Sequence, residues 1–217
     1  MEVVEPFFAR LRGALGPLDA EARAPEGLRP AGVLVPLRAR PAAPPGSGDE
    51  ITVVLARRTE QVPHHKGQIC FPGGSRDPDD PDLLATALRE AGEELGIRRA
   101  DVALLGAMEP VPTVTGFFIQ PYVARLPASA AFRLDGFEMA EVFEAPLSIF
   151  GDPGRYRRAR TTFLGEAYDV LFFDYPPHTI WGATAKILHR LAGLAAAMPR
   201  DAAMPRGIDT APTRHIR

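Results

Sequence analysis

Residues 83–97 read LLATALREAGEELGI and carry glutamates at 90, 93 and 94. At ~100° per residue these three fall in one arc, away from a stripe formed by Leu84, Leu88, Ala91 and Leu95. The spacing therefore predicts an amphipathic helix that packs one face and presents three carboxylates on another. Like charges at i, i+3 and i+4 repel, so such a face gains from a divalent cation or a fixed positive charge. Hard oxygen donors select Mg²⁺, Mn²⁺ or Ca²⁺ over zinc or copper, and a phosphate chain could complete the shell. Arg89, beside Glu90, can hold a carboxylate with its guanidinium fork. Just upstream, Phe71-Pro72-Gly73-Gly74 supplies a turn whose backbone can approach a ligand closely. Paired glutamates also occur as a plain solvated helix face, and a Gly-Gly turn need be only a turn. Their adjacency is what points to a site.

The elements that must position these residues follow from pattern and punctuation. Asp80 and Pro81 are expected as N-cap and first residue of the carboxylate helix, which runs to about Leu95 and stops at Gly96. A short strand from Gln68 to Phe71 leads into the glycine turn. Upstream, the apolar runs 29–39 and 51–58 flank a segment rich in Pro, Gly and Ser and read as a long hairpin. Downstream, 102–111, 117–126, 138–147 and 169–175 read as strands and Ala183 to Met198 as a helix. This order predicts an α/β (α+β) domain, a mixed β-sheet sandwiched between helices. The expected division is a helical extension over 1–28, the main domain over 29–198 and a mobile tail over 199–217.

Composition narrows the function classes. A length of 217 residues suits one core, and the apolar runs are too short to span a membrane. A net charge of -2 speaks against a protein that grips nucleic-acid backbone, so no nucleic-acid or membrane partner is expected. Cys70 is the only cysteine, which excludes an intrachain disulfide and fits a reducing compartment. The N-terminal stretch lacks a basic segment followed by an apolar core, and cytoplasmic location is the expectation. Its helix, with Phe7, Phe8, Leu11 and Leu15, would pack on its own core or on a second copy as a homodimer.

Arg89-Glu90-Ala91-Gly92-Glu93-Glu94-Leu95-Gly96-Ile97 resembles the end of the Nudix box, REUxEExGU with U aliphatic. Asp80 stands where the general box has glutamate, and Gly74 lies one residue further from Arg89 than usual. That extra residue is similar to the coenzyme A pyrophosphatase subgroup. Its second signature, LLTxRxxxLxxHxGQxxFPGG, resembles Val54 to Arg58 followed by His65-Lys66-Gly67-Gln68-Ile69-Cys70-Phe71-Pro72-Gly73-Gly74. Similarity continues in Pro112 to Phe117, Glu138 to Leu147 and Ile180 to Ala185. Pro63 replaces a frequent basic residue and Cys70 a small hydroxyl residue. A small buried side chain, not a nucleophile, is the expected role of Cys70.

The resemblance implies a Nudix fold and Mg²⁺- or Mn²⁺-dependent hydrolysis of a pyrophosphate bond, with Glu90, Glu93 and Glu94 as metal ligands and Arg89 orienting a glutamate. The general base would be Glu93 or Glu141. Coenzyme A is the favoured substrate, giving 4′-phosphopantetheine and adenosine 3′,5′-bisphosphate. Its contacts are expected from Arg57, Arg58, Gly67, Gln68, Gly73 and Gly74. The 3′-phosphate calls for a basic contact, for which His64, His65, Lys66, Arg57 and Arg58 are the available cations. Each also has a plain reading as a solvated loop residue, which is preferred for His64, and Trp181 is expected to pack in the core. The rival readings are hydrolysis of ADP-ribose, a dinucleoside polyphosphate or a nucleoside triphosphate, and a non-catalytic nucleotide sensor. RNA-end hydrolysis ranks last.

Overall fold

The computed structural model describes residues 4–19, 23–41, 49–63, 65–163, 166–198 and 214–216. Strand β1 (Arg29–Pro41) pairs antiparallel with β2 (Asp49–Arg58), from Leu37 opposite Val53 to Pro41 opposite Asp49, which is the expected hairpin. β1 also pairs in parallel with β7 (Phe117–Arg125), so the sheet is mixed. β5 (Ala103–Ala107) lies beyond β7, and β8 (Met139–Pro146) lies on the other side of β2. Three short strands attach to it: β3 (Ile69–Cys70) on β2, β4 (Gly73–Ser75) on β1 and β6 (Val111–Pro112) on β7. The central strands are buried on both faces, which explains why their sequences read as continuous apolar runs.

One face of this sheet carries Leu34, Val54, Ala56, Tyr122, Ala124, Met139 and Val142, packed against Leu83, Ala87, Ala91 and Leu95 of helix α2 (Leu83–Leu95). The other face carries Val35, Leu37, Val53, Leu55 and Phe143. Helix α1 (Val4–Ala14) covers it with Val4, Phe7, Phe8 and Leu11, and helix α3 (Gly182–Ala197) with Ile187, Leu188 and Leu191. Helix α1 thus buries its apolar stripe on its own chain. A second sheet also packs here, with β10 (Glu166–Tyr175) between β9 (Tyr156–Phe163) and β11 (His178–Trp181). Sequence pattern identified β10 but not β9, whose RRAR run with exposed Arg157, Arg158 and Arg160 hides the strand period.

Two expectations for α2 need correction. Asp82, not Asp80, is the N-cap: its backbone is extended and its Oδ1 accepts from the Ala85 N–H at 2.7 Å. Pro81 therefore precedes the cap. The buried side is also rotated, comprising Leu83, Thr86, Ala87, Ala91, Glu94 and Leu95, while Leu84 and Leu88 are partly buried. The side of Leu83 and Ala87 is the one that closes on Gly32 of β1, and the Glu94 carboxylate is drawn in by the Gly73 N–H. The segment between β7 and β8 wraps the end of α2, with Arg133 N–H donating to Leu95 O at 2.8 Å and Asp135 N–H to Glu94 O at 3.3 Å. Gly96, at φ 66°, closes the helix as expected, and the Ile97 N–H reaches back to Ala91 O.

Helix α2 sits so close to the sheet that a Cβ at Gly32 of β1 would overlap the Leu83 carbonyl oxygen. Backbone cannot swing away as a side chain can. Gly32→Ala is therefore expected to destabilise by about 1–3 kcal/mol, lowering Tm by roughly 2–4 °C for each kcal/mol. Calorimetric melting against Gly13→Ala is the check, since Gly13 of α1 has open space and should tolerate the methyl.

Of the expected tail, Arg214–Ile216 is described and forms β12, antiparallel to β8. Among the described residues, no helix is long and apolar enough to cross a membrane.

Candidate active site

The carboxylates are organised around two arginines. Arg89 donates through Nε and Nη2 to Asp80 Oδ1 and Oδ2, at 3.1 and 2.9 Å, in a two-pronged pair. Its Nη1 lies 3.0 Å from both Glu90 Oε1 and Glu93 Oε2. Asp80, buried under Thr86, whose hydroxyl donates to Oδ2 at 2.9 Å, is thus the anchor of Arg89. The Arg89 hydrogen bonds hold the Asp80 carboxyl far below the usual carboxylate range and push the guanidinium pKa up. Sequence reasoning gave Asp80 the wrong job because two aspartates flank Pro81 and either can cap. The tertiary contact with Arg89 decides between them.

Glu94 is the buried member, 3% exposed. The Gly73 N–H donates to its Oε2 at 3.0 Å, and Arg58 Nη1 lies 3.5 Å from Oε1. Burial pushes its pKa up to about 8, and Glu90 adds to the rise, against the lowering effect of the Gly73 N–H. Burial likewise raises Glu90. A Cβ on Gly74 would lie 2.5 Å from Glu90 Oε1, so the glycine turn is what lets this carboxylate approach the strand. Gly73, at φ 152°, has no room for a side chain against β1. The expected ensemble of Gly73, Gly74, Arg89, Glu90, Glu93 and Glu94 is therefore one cluster, with Glu93 at its exposed rim.

Arg58 faces this cluster: its Nη2 donates to Glu138 Oε2 at 2.7 Å while Nη1 reaches Glu94. Glu138, at the entry to β8, is an acidic neighbour that the sequence reading did not single out, and only the wrapping segment brings it here. Arg57 and Glu141 lie elsewhere. Strand alternation puts Arg57 with Leu55 and Glu141 with Phe143, on the sheet face turned away from α2. Gly67, at φ 64°, makes the turn between β2 and β3, and the Gln68 Oε1 sits 3.0 Å from His65 Nδ1. His64 lies outside the described residues. Trp181 is 39% exposed and stacks on Phe172, so it packs at the surface instead of in the core. Burial raises the Cys70 thiol to about 12, which leaves it un-ionised at neutral pH and unsuited to nucleophilic attack.

The donor set suits a hard divalent cation: all oxygens, two of the carboxylates disfavoured by burial in a way that a nearby cation would offset. Among the described residues, no three carboxylate, His or Cys side chains are already gathered around a metal position. Arg89 Nη1 takes the position between Glu90 and Glu93 and supplies positive charge there.

Residues 35–145 match the family model described as the NUDIX domain. A relative from Photorhabdus laumondii, named uncharacterized Nudix hydrolase NudL, is 37% identical over 164 residues, which cover 76% of this chain and 83% of the relative. A relative of the same name from Yersinia pestis is 38% identical over 164 residues, covering 76% and 78%. Among solved structures, a C. elegans Ap4A hydrolase is similar at a TM-score of 0.44 and 22% identity, covering 54% of this chain and 80% of that one.

Proposed function

We propose, since this chain belongs to the Nudix hydrolase family, that it hydrolyses the pyrophosphate bond of coenzyme A or a derivative to 4′-phosphopantetheine and adenosine 3′,5′-bisphosphate. The observation that carries the hydrolase reading is the cluster of Glu90, Glu93 and Glu94 held by Arg89, Asp80 and the Gly73 N–H. The substrate choice rests on the resemblance of Val54 to Gly74 to the coenzyme A subgroup.

Glu90, Glu93 and Glu94 would hold Mg²⁺ or Mn²⁺. Such an ion, when bound, neutralises diphosphate charge and lowers the pKa of an attacking water. The chain's own residues do the rest. Gly73 fixes the direction of the Glu94 carboxylate, and the Arg89–Asp80 pair fixes Glu90 and Glu93 relative to each other. Glu93, the most exposed of the three, takes the proton of the water as it attacks phosphorus. The bridging P–O bond breaks and the departing phosphate carries away the electron pair. Glu93 serves better as this base than Glu141, which stands on the opposite sheet face.

Mass spectrometry of products tests the reading, after incubation with coenzyme A, ADP-ribose and diadenosine polyphosphates in Mg²⁺ or Mn²⁺. Metal-dependent release of 4′-phosphopantetheine is expected. Cleavage of another substrate alone would retain the chemistry and refute the specificity, and no cleavage of any would favour nucleotide sensing.

A further inference from the structure

At the end of β2, adjacent arginines diverge. Arg58 turns to the carboxylates of α2, and Arg57 turns to the opposite face, where it meets Glu141 directly across the strand pair. Arg57 Nε donates to Glu141 Oε2 at 3.1 Å. The other oxygen, Oε1, lies 3.6 Å from His178 Nε2. The imidazole is itself immobilised, 8% exposed and stacked on the Phe143 ring at 4.7 Å and 19°, with Phe143 in turn stacked on Tyr175. Glu141 thus sits between two basic groups whose positions β2, β8 and β11 determine. Arg57 is 32% exposed, and among the described residues its Nη1 and Nη2 engage no partner.

This arrangement fits an anion receptor better than a proton acceptor. A carboxylate that takes Nε of an arginine fixes the plane of the guanidinium and leaves the two terminal nitrogens as a parallel pair of donors. That pair matches two oxygens of a phosphate. We propose that Arg57, oriented by Glu141 and His178, is a subsite for a phosphomonoester on the adenosine ribose of the substrate, and that Glu141 and His178 are positioning residues acting through it. The inference rests on the nucleotide-hydrolase reading above. A nucleotide whose diphosphate lies at the α2 carboxylates would cross the end of β2 and set its second phosphate on Arg57. Substrates bearing that group are thereby selected.

Calorimetric titration of the full chain with adenosine 3′,5′-bisphosphate, adenosine 2′,5′-bisphosphate and adenosine 5′-monophosphate tests this without turnover. The wild-type protein should prefer one bisphosphate over the monophosphate by ~10-fold or more, as expected for a charged hydrogen-bonded pair. The preferred isomer identifies which ribose hydroxyl carries the phosphate. Arg57→Ala should abolish the preference, Arg57→Lys should retain part of it, and Glu141→Gln and His178→Asn should each weaken it, with melting curves establishing that all are folded. Equal affinity of wild type for all three ligands would overturn the proposal, as would a preference that survives Arg57→Ala. Steady-state kinetics adds a second criterion: the positioning role predicts a raised KM for the phosphorylated substrate in Glu141→Gln. A fall in kcat with the ligand preference intact would return Glu141 to proton transfer and refute it. A bisphosphate preference lost in Arg57→Ala, in a protein that does not cleave coenzyme A, would sustain the subsite while refuting the proposed reaction.

Discussion

Glu93→Gln is expected to lower kcat by ~10²–10⁴, the range contributed by a general base, while leaving the melting temperature nearly unchanged. The two halves of this expectation have separate causes. Glu93 is 61% exposed, and its pair with Arg89 spans one helical turn at the surface, where such pairs are worth less than about 1 kcal/mol. Arg89 keeps Asp80 and Glu90 after the change, so the cluster stays in place. A glutamine has nearly the same shape but cannot accept the water's proton. Single-turnover kinetics alongside a thermal melt checks both halves. Full turnover in Glu93→Gln would exclude Glu93 as the base, and a large fall in Tm would mean that the residue is structural.

The second large effect is on stability. Glu144 of β8 is buried and accepts from Arg38 Nη1 and Arg40 Nη2, each at 2.8 Å, and from the Thr52 hydroxyl at 2.6 Å. Arg38 is only 1% exposed; its Nη2 donates to the carbonyls of Ala128 and Ala130, and its guanidinium lies over the Phe132 ring. Glu144→Ala leaves that guanidinium buried without its counter-charge, which costs about 3–5 kcal/mol. At roughly 2–4 °C per kcal/mol, Tm should fall by about 6–20 °C. The double variant Arg38→Met with Glu144→Leu should melt much closer to wild type, because neither charge is then stranded. If Glu144→Ala and the double variant melt alike, the loss is one of packing and the ion pair is immaterial.

Acid should act on the same network with a definite sign. Burial alone would raise the Glu144 pKa, but hydrogen bonds from Arg40 and Thr52 and the charge of Arg38 outweigh it, so the folded value lies below the ordinary one. Its stabilisation is therefore complete above the ordinary carboxylate range and is lost as pH falls through the folded value. Glu94 behaves oppositely. Its raised pKa means that ionising it costs folding free energy between the ordinary carboxylate range and about pH 8 in the absence of a cation.

The sequence by itself determined the local elements and the identity of the reactive groups. The hairpin of β1 and β2, the extent of α2 to Gly96, and the glutamates at 90, 93 and 94 all follow from period, punctuation and spacing. These are short-range properties, encoded by residues within one or two turns of each other. What only the tertiary structure decided depends on residues far apart in the chain. Asp80 becomes the anchor of Arg89 and leaves the cap to Asp82, because helix α2 and the preceding turn fold back together. Glu94 is buried because its carboxylate turns in toward β4 and β2, accepting from the Gly73 N–H with Arg58 Nη1 3.5 Å away, on a helix side that looks solvated in projection. Arg57 and Arg58, adjacent and chemically identical, serve opposite faces because β2 alternates its side chains, and the faces acquire their meaning from α2 on one side and His178 of β11 on the other. A helical period reports which residues share a face, but the partner that covers each face is chosen by the whole chain.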